Sequence, residues 1–316
     1  MPTITRDDVL EAQARTQSVV RRTPLLAPAA NDPRVWIKCE FLQHTGVFKP
    51  RGAFNRQLAA RHRGELDPAV GVVTASGGNA GLANAFAARE LGVPATVFVP
   101  HTAPAVKVAR LREYGADVRL GGTEYVDAYD AAVQWASQSG ALFCHAYDHT
   151  EVAAGAGVIA EEILQDAPEI DTIVVAVGGG GLFAGVAAAA EGRAGVVAVE
   201  PATIPTLHAA LEAATPVDIT VSGIAADSLG ARRIGSIAFD VAQRTSPISV
   251  LVSDAQIIEA RWRLWDQYRV PAEYGAATAY AALTSAAYQP GDGENVAVII
   301  CGANTDPTTL NVAAAT

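Results

Sequence analysis

Short apolar runs alternate with segments of helical periodicity along most of this 316-residue chain, and that alternation limits the fold more than any other feature. Eight runs are strand-like: VWIKC (35–39), VGVVTA (70–75), ATVFV (95–99), DVRLG (117–121), TIVVAV (172–177), GVVAVE (195–200), ISVLV (248–252) and NVAVII (295–300). Helical patterns lie between them, over 51–63, 80–91, 104–114 and 124–138 among others. Continuous apolar strands interleaved with helices imply parallel sheets covered on both faces. The expected fold is α/β, with two doubly wound, mostly parallel, three-layer domains. No internal repeat or low-complexity linker marks where one ends.

The stretch TIVVAVGGGGLFAGVAAAA (172–190) carries no charge and approaches bilayer-spanning length. Four consecutive glycines in its middle suit a buried strand, a turn and an Ala-rich helix better than a membrane helix. The start, MPTITRDDVLEAQ, has no apolar core and is not expected to act as a signal peptide. With 23 basic and 33 acidic residues the net charge is −10, and no basic run exists. Nucleic acid and anionic membrane are therefore not expected as partners. Three widely spaced cysteines, Cys39, Cys144 and Cys301, suit reduced thiols in a cytoplasmic protein.

In α/β sheets, ligands bind beyond the carboxyl ends of strands, where glycine-rich turns enter helices. Two such turns are present. TASGGNAGLANAF (74–86) offers free N–H groups at a helix start plus the side chains of Ser76 and Asn79, suiting a carboxylate or ring hydroxyl. Helix capping is the alternative role for those two side chains. VAVGGGGLFAG (175–185) lines up glycine N–H groups ahead of a helix, an anion cradle suited to phosphate. Gly179, Gly181 and Ala184 also satisfy G-x-G-x-x-A, and Glu200 lies about twenty residues on, so a nicotinamide dinucleotide site competes. That reading leaves TGVFKPRGAFN (45–55) without a task.

The chain has three lysines, Lys38, Lys49 and Lys107, among 23 basic residues. A lysine amine can lose its proton and attack a carbonyl carbon, which a guanidinium cannot. Pro50 suits the first position of a helix, which puts Lys49 at its N-terminal edge. The positive helix end and Arg51 should both disfavour the ammonium form. A nucleophilic lysine, a phosphate cradle and a second anion site together fit pyridoxal 5'-phosphate with an amino-acid substrate. The alternative for Lys49 is an ordinary surface lysine.

From TPLL (23–26) to CGANTD (301–306) the chain resembles the serine/threonine dehydratases, fold type II pyridoxal-phosphate enzymes. TGVFKPRGA looks like their lysine motif, SGGNAG like their substrate loop, GGGGL like their phosphate loop and CGAN like their last strand motif. The resemblance implies that Lys49 bonds the cofactor and later moves the α-proton, that Phe48 packs on the ring, and that Asn79 holds the ring hydroxyl. The N–H groups of Gly178, Gly179, Gly180, Gly181 and Leu182 would hold the phosphate, and Cys301 would face the ring nitrogen. Ser76, Gly77, Asn79 and Ala80 would receive the substrate carboxylate, and the cofactor phosphate would assist loss of the β-hydroxyl. A thiol at Cys301 favours β-elimination over transamination within that family; a small buried hydrophobe is its other reading.

Departures from the family pattern carry information. Val47 stands where a serine is usual, and Gly77 replaces a serine that serves the serine racemases as acid and base, so racemisation is not expected. SGGNAGLA and the cysteine of CGAN are closer to the animal serine dehydratases. Glu200 and Thr206, with the carbonyls of Ile204, Leu229 and Ala231, match a cation site that would suit potassium; packing of a turn is the alternative. His145 and His149 are read as structural or cleft-lining. The resemblance also implies a small substrate-side domain, 43–144, inserted in a large cofactor domain, 1–42 plus 145–316, and a homodimer. Fifteen residues follow Cys301, so feedback by isoleucine through a C-terminal regulatory domain is not expected.

The expected reaction is dehydration and deamination of L-threonine or L-serine to ammonia and 2-oxobutanoate or pyruvate. Sibling activities on 3-hydroxyaspartate or phenylserine, serine racemisation, a nicotinamide-dependent oxidoreductase and a catalytically silent amino-acid-binding protein are the alternatives.

Overall fold

Each of the eight apolar runs forms a strand, and two more strands of two residues complete two separate sheets. The computed structural model describes residues 3–29 and 33–310. Its strands are β1 (Leu25–Leu26), β2 (Val35–Lys38), β3 (Val72–Ala75), β4 (Ala95–Val99), β5 (Asp117–Leu120), β6 (Leu142–Phe143), β7 (Thr172–Ala176), β8 (Gly195–Pro201), β9 (Ile248–Val252) and β10 (Val296–Ile299). The helices are α1 (Arg6–Thr16), α2 (Pro50–His62), α3 (Asn79–Glu90), α4 (Ala105–Glu113), α5 (Tyr125–Ser139), α6 (Thr150–Asp166), α7 (Gly181–Ala190), α8 (Thr206–Ala213), α9 (Ala226–Leu229), α10 (Ser236–Thr245), α11 (Asp254–Tyr268) and α12 (Tyr274–Thr284).

The larger sheet has the order β1-β2-β10-β7-β8-β9 and the smaller β5-β4-β3-β6. Every pairing is parallel except β1 with β2. All strands of the smaller sheet lie between Val72 and Phe143, so it interrupts the larger one in sequence. Strands β1 and β6 are too short to carry a periodic signal. They exist because a neighbour offers an edge to pair with.

Both faces of the smaller sheet are covered, as continuous apolar strands require. Val72, Val97 and Val99 pack with Leu82 and Ala85 of α3 and Leu111 of α4. Their neighbours Val73, Ala75 and Phe98 point the other way, against Ala132 and Trp135 of α5. The charge-free stretch 172–190 is β7, a glycine turn and α7, and no described helix is long and apolar enough to cross a membrane.

Helix α6 fixes the two turns that matter. A Cβ on Gly155 would lie 2.5 Å from the Arg51 carbonyl of α2, and one on Gly157 would lie 2.6 Å from the Gly185 carbonyl of α7. The backbones of α2 and α7 therefore both touch α6 directly, an approach only glycine permits. The N-termini of α2 and α7, which carry Lys49 and the glycine turn, are set at a fixed separation across it.

Beneath the start of α2 lies a buried ionic cluster. The Arg51 guanidinium donates from Nε and Nη2 to the two oxygens of Glu40, both at 2.8 Å, and from Nη1 and Nη2 to those of Glu162 at 2.8 and 2.9 Å. Lys38 Nζ donates to Glu162 Oε2 at 2.6 Å and to the Thr23 carbonyl at 2.7 Å. Two cations face two carboxylates, and all four side chains are essentially without solvent exposure. A buried pair of this kind adds little over an apolar core, but removing one partner strands the other. Arg51→Ala should therefore lower the free energy of unfolding by about 3–5 kcal/mol. Denaturant titration checks this; a loss below about 1 kcal/mol would mean that water fills the site and solvates Glu40 and Glu162.

Candidate active site

The turns beyond β3, β7 and β10 converge on Lys49. Lys49 caps the N-terminus of α2, with Pro50 at the first helical position. Its Nζ donates to the Ala146 carbonyl at 3.0 Å and lies 5.2 Å from the centre of the Phe48 ring. Lys38 and Lys107 are ion-paired to Glu162 and Asp227, whereas Lys49 has no carboxylate within ion-pair distance among the described residues. Burial pushes its pKa from 10.5 down to about 8, against the opposing influence of Cys301 and Glu273.

The direction expected from the sequence holds, but the cause differs. Arg51 turns away from Lys49 into the cluster with Glu40 and Glu162, so desolvation rather than a neighbouring cation lowers the lysine.

Cys301 lies two residues beyond the end of β10. Its carbonyl accepts the Phe48 N–H at 2.9 Å, and burial pushes its thiol pKa far up, so the sulfur is neutral. Val47 pairs with Gly302 in an antiparallel bridge, and a Cβ on Gly302 would lie 2.6 Å from Val47 Cγ1. The unusual valine is thus fully buried against that glycine.

The turn after β3 brings Ser76, Gly77, Gly78 and Asn79 to the start of α3, with Ala80 just inside it. Ser76 Oγ accepts the Gly78 N–H at 3.3 Å. A Cβ on Gly77 would lie 3.3 Å from Val99 Cγ1, close to the wall. Asn79 reaches across the cleft, Nδ2 donating to Glu273 at 3.0 and 3.2 Å and Oδ1 accepting from Asn304 Nδ2 at 2.8 Å. Glu273 and Asn304 were not singled out from the sequence. Glu273 is a buried carboxylate whose pKa burial pushes up to about 7, with the Asn79 hydrogen bond opposing.

The glycine turn after β7 has no room for side chains. Added Cβ atoms on Gly178, Gly179 and Gly181 would lie 2.9 Å from Leu229 Cα, 2.5 Å from the Tyr147 ring and 2.7 Å from the Tyr147 carbonyl. Gly180 has a φ of +90°. Among the described residues no protein acceptor takes the N–H groups from Gly178 to Leu182, so they remain open to an anion. The Ala146–Tyr147 stretch touches both Lys49 and this turn, which places amine and cradle side by side. An amine of lowered pKa, an N–H cradle without protein acceptors among the described residues, an amide and a neutral thiol fit pyridoxal phosphate.

Glu200 lies behind the cradle and is fully buried. It accepts the Thr206 hydroxyl at 2.9 Å and the N–H groups of Leu207 and His208, both at 2.8 Å. Thr206 Oγ1 also lies 2.6 Å from the Gly178 carbonyl, so its single hydrogen is shared between that oxygen and Glu200. With its oxygens turned into the start of α8, Glu200 does not face the glycine turn as a ribose ligand would, which counts against the dinucleotide reading. The Ile204 and Leu229 carbonyls accept the N–H groups of Thr206 and Ala231. His145 Nδ1 accepts the N–H groups of Tyr147 and Asp148 at 3.2 and 2.9 Å, and no three-ligand metal group occurs among the described residues.

Fold and site together define an α/β enzyme in which a lysine of lowered pKa and a glycine turn with open N–H groups are both tied to the Ala146–Tyr147 stretch. Residues 16–302 match the family described as pyridoxal-phosphate dependent enzyme, and the chain belongs to it. It is 37% identical over 311 residues to an L-threonine ammonia-lyase of Geobacter sulfurreducens, covering 96% of this chain and 76% of that one. It is 34% identical to a phenylserine dehydratase of Ralstonia pickettii, covering 94% and 92%. Maize serine racemase superposes with a TM-score of 0.90 at 29% identity, covering 98% and 96%.

Because burial sets the state of Lys49, the reaction of the apoprotein's Lys49 with an amine-specific reagent should rise with pH about a midpoint near 8. Mass spectrometry of the labelled peptide checks this. A midpoint at the ordinary 10.5 would mean that the amine is solvated.

Proposed function

We propose that this chain is a pyridoxal-phosphate-dependent ammonia-lyase that dehydrates and deaminates L-threonine or L-serine. The observation that carries the reading is Lys49, an amine without a carboxylate partner, beside an open N–H cradle, in a chain 37% identical to a threonine ammonia-lyase.

Pyridoxal phosphate, when bound, supplies an electron sink for the pair left on the substrate's α-carbon. The N–H groups of Gly178, Gly179, Gly180, Gly181 and Leu182 would hold its phosphate, Phe48 would lie against its ring, Asn79 would hold its ring hydroxyl and Cys301 would face its ring nitrogen. The turn at Ser76, Gly77, Asn79 and Ala80 would orient the substrate carboxylate at the start of α3. Lys49 Nζ would take the α-proton, a step that needs the amine uncharged, and a pKa of about 8 keeps that form accessible near neutrality. The β-hydroxyl would leave as water with a proton from a general acid, the role the cofactor phosphate would take. Hydrolysis of the released enamine yields ammonia and 2-oxobutanoate from threonine, or pyruvate from serine. Gly77 offers no side chain that could return a proton from the opposite face, which disfavours racemisation.

A larger β-substituent is the second reading. A cavity of about 260 Å³ is lined by His145, Tyr147, Asp148, Arg233 and Ser236 among others, and His145 and Tyr147 flank in sequence the Ala146 whose carbonyl accepts from Lys49. Comparison of keto-acid formation from threonine, serine, phenylserine and 3-hydroxyaspartate decides between them.

The proposal extends to the inserted domain at 43–144 and to a cytoplasmic homodimer. It also includes a potassium ion among Glu200, Thr206 and the carbonyls of Ile204, Leu229 and Ala231, supported by a buried carboxylate without a cationic partner. Potassium chloride should then raise the unfolding midpoint at pH 8 above that in tetramethylammonium chloride of equal strength, and Glu200→Gln should remove the difference. Equal midpoints in the wild type would exclude the ion.

The purified protein should show a visible absorption band that borohydride removes, leaving a pyridoxyl label on Lys49. Lys49→Ala should lose roughly 10³-fold or more of its keto-acid production while keeping its fold. Turnover that survives the substitution would remove Lys49 from the reaction.

A further inference from the structure

We propose that Glu273 is a positioning residue which, together with Asn304, fixes the Asn79 carboxamide so that an N–H, and not its oxygen, is left for a ligand. The functional meaning rests on the pyridoxal-phosphate reading. The geometry stands on a chain of side chains anchored, at the Asn304 end, by groups that have no choice of role.

At one end is Arg110, which can only donate. Its Nη1 reaches Asn304 Oδ1 at 3.2 Å, while Asn304 Nδ2 donates to the Thr45 carbonyl, which can only accept, at 3.0 Å. Turning the Asn304 amide over would set carbonyl against carbonyl and N–H against guanidinium. The same Nδ2 donates to Asn79 Oδ1 at 2.8 Å, which directs Asn79 Nδ2 at the two oxygens of Glu273, 3.0 and 3.2 Å away. An ionised carboxylate accepts and cannot donate, so above the Glu273 pKa of about 7 the far end of the chain is also forced. Asn79 Oδ1 is taken, one Nδ2 hydrogen is taken, and the second Nδ2 hydrogen remains.

Glu273 is not accounted for as part of an ion pair. It is 7% exposed, and no lysine or arginine lies within ion-pair distance among the described residues. The buried Arg261, close by in sequence and space, donates to the Ala272 carbonyl at 2.9 Å instead. The groups that act on the carboxylate are Asn79, the backbone N–H of Asn304, Asp227 and Lys49, and Cys301 faces the same space. Gly302 leaves room for it, since a Cβ there would lie 2.6 Å from Glu273 Oε1. A carboxylate buried without a cation is costly, and what it gains here is control of one amide. A fixed N–H donor suits a ring oxygen that carries negative charge, which a free amide could meet with either end.

The test titrates apoprotein with pyridoxal 5'-phosphate and follows the visible band against pH. Glu273→Gln can present either end of its own amide to Asn79, so its cofactor Kd should rise roughly ten-fold. Its band midpoint should also move to lower pH, because a negative charge that favours protonation at the Lys49 nitrogen is gone. Glu273→Asp should keep the wild-type midpoint. Asn304→Ser should raise the Kd without moving the midpoint, and it decides the matter alone if Glu273→Gln does not fold. Variants that match the wild type in both Kd and midpoint overturn this inference and leave the proposed function standing. A wild-type chain that takes up no cofactor overturns both.

Discussion

A guanidinium sealed from water governs where Lys49 can be. Arg51 lies two residues beyond Lys49, and its donors are spread over Glu40, Glu162, the Arg21 carbonyl and Thr23. These partners come from the turn after β2, from α6 and from the segment before β1. The start of α2 is thereby tied to three parts of the chain distant in sequence. Because charge is balanced inside the cluster and Arg fits carboxylates in a fixed fork, few other arrangements satisfy it. Lys49 inherits its direction from that anchoring and from the close backbone contact of α2 with α6.

The site itself follows the opposite electrostatic rule. In the cluster, buried charges are matched by opposite charges. Around Lys49 they are not, and burial drives each group toward its neutral form: the amine down to about 8, Glu273 up to about 7, the Cys301 thiol further up. Such unmatched, shifted groups gathered in a cleft are what distinguishes a reactive site from a structural ion pair. The glycine turn has the same character, presenting N–H groups that no acceptor among the described residues takes. A phosphorylated, polar cofactor would complete both sets of unmet interactions.

Much of this was legible in the sequence because its causes are local. The alternation of apolar runs and helical segments determined two parallel sheets. Pro50 determined that a helix starts just after Lys49, and the glycines at 178–181 determined a turn with exposed N–H groups. The glycine turns after strands also pointed to one shared end of the sheets, since in parallel sheets such turns gather there. Period and propensity act over a few residues, so each of these features is written where it is used.

The tertiary structure alone decided which of these neighbours act on one another. Adjacency to Lys49 made Arg51 look like the cause of a lowered pKa, yet the fold turns Arg51 into the cluster and leaves the lowering to burial. Glu200 stands at the spacing of a ribose ligand, but its oxygens are drawn into the start of α8. Glu273 lies in VPAEYG with no pattern around it, and its partners Asn79 and Lys49 are more than two hundred residues away or nearly so. Desolvation and hydrogen-bond direction depend on what the rest of the chain brings to a position. The sequence therefore determined the elements and the chemistry they carry, and packing decided their partners.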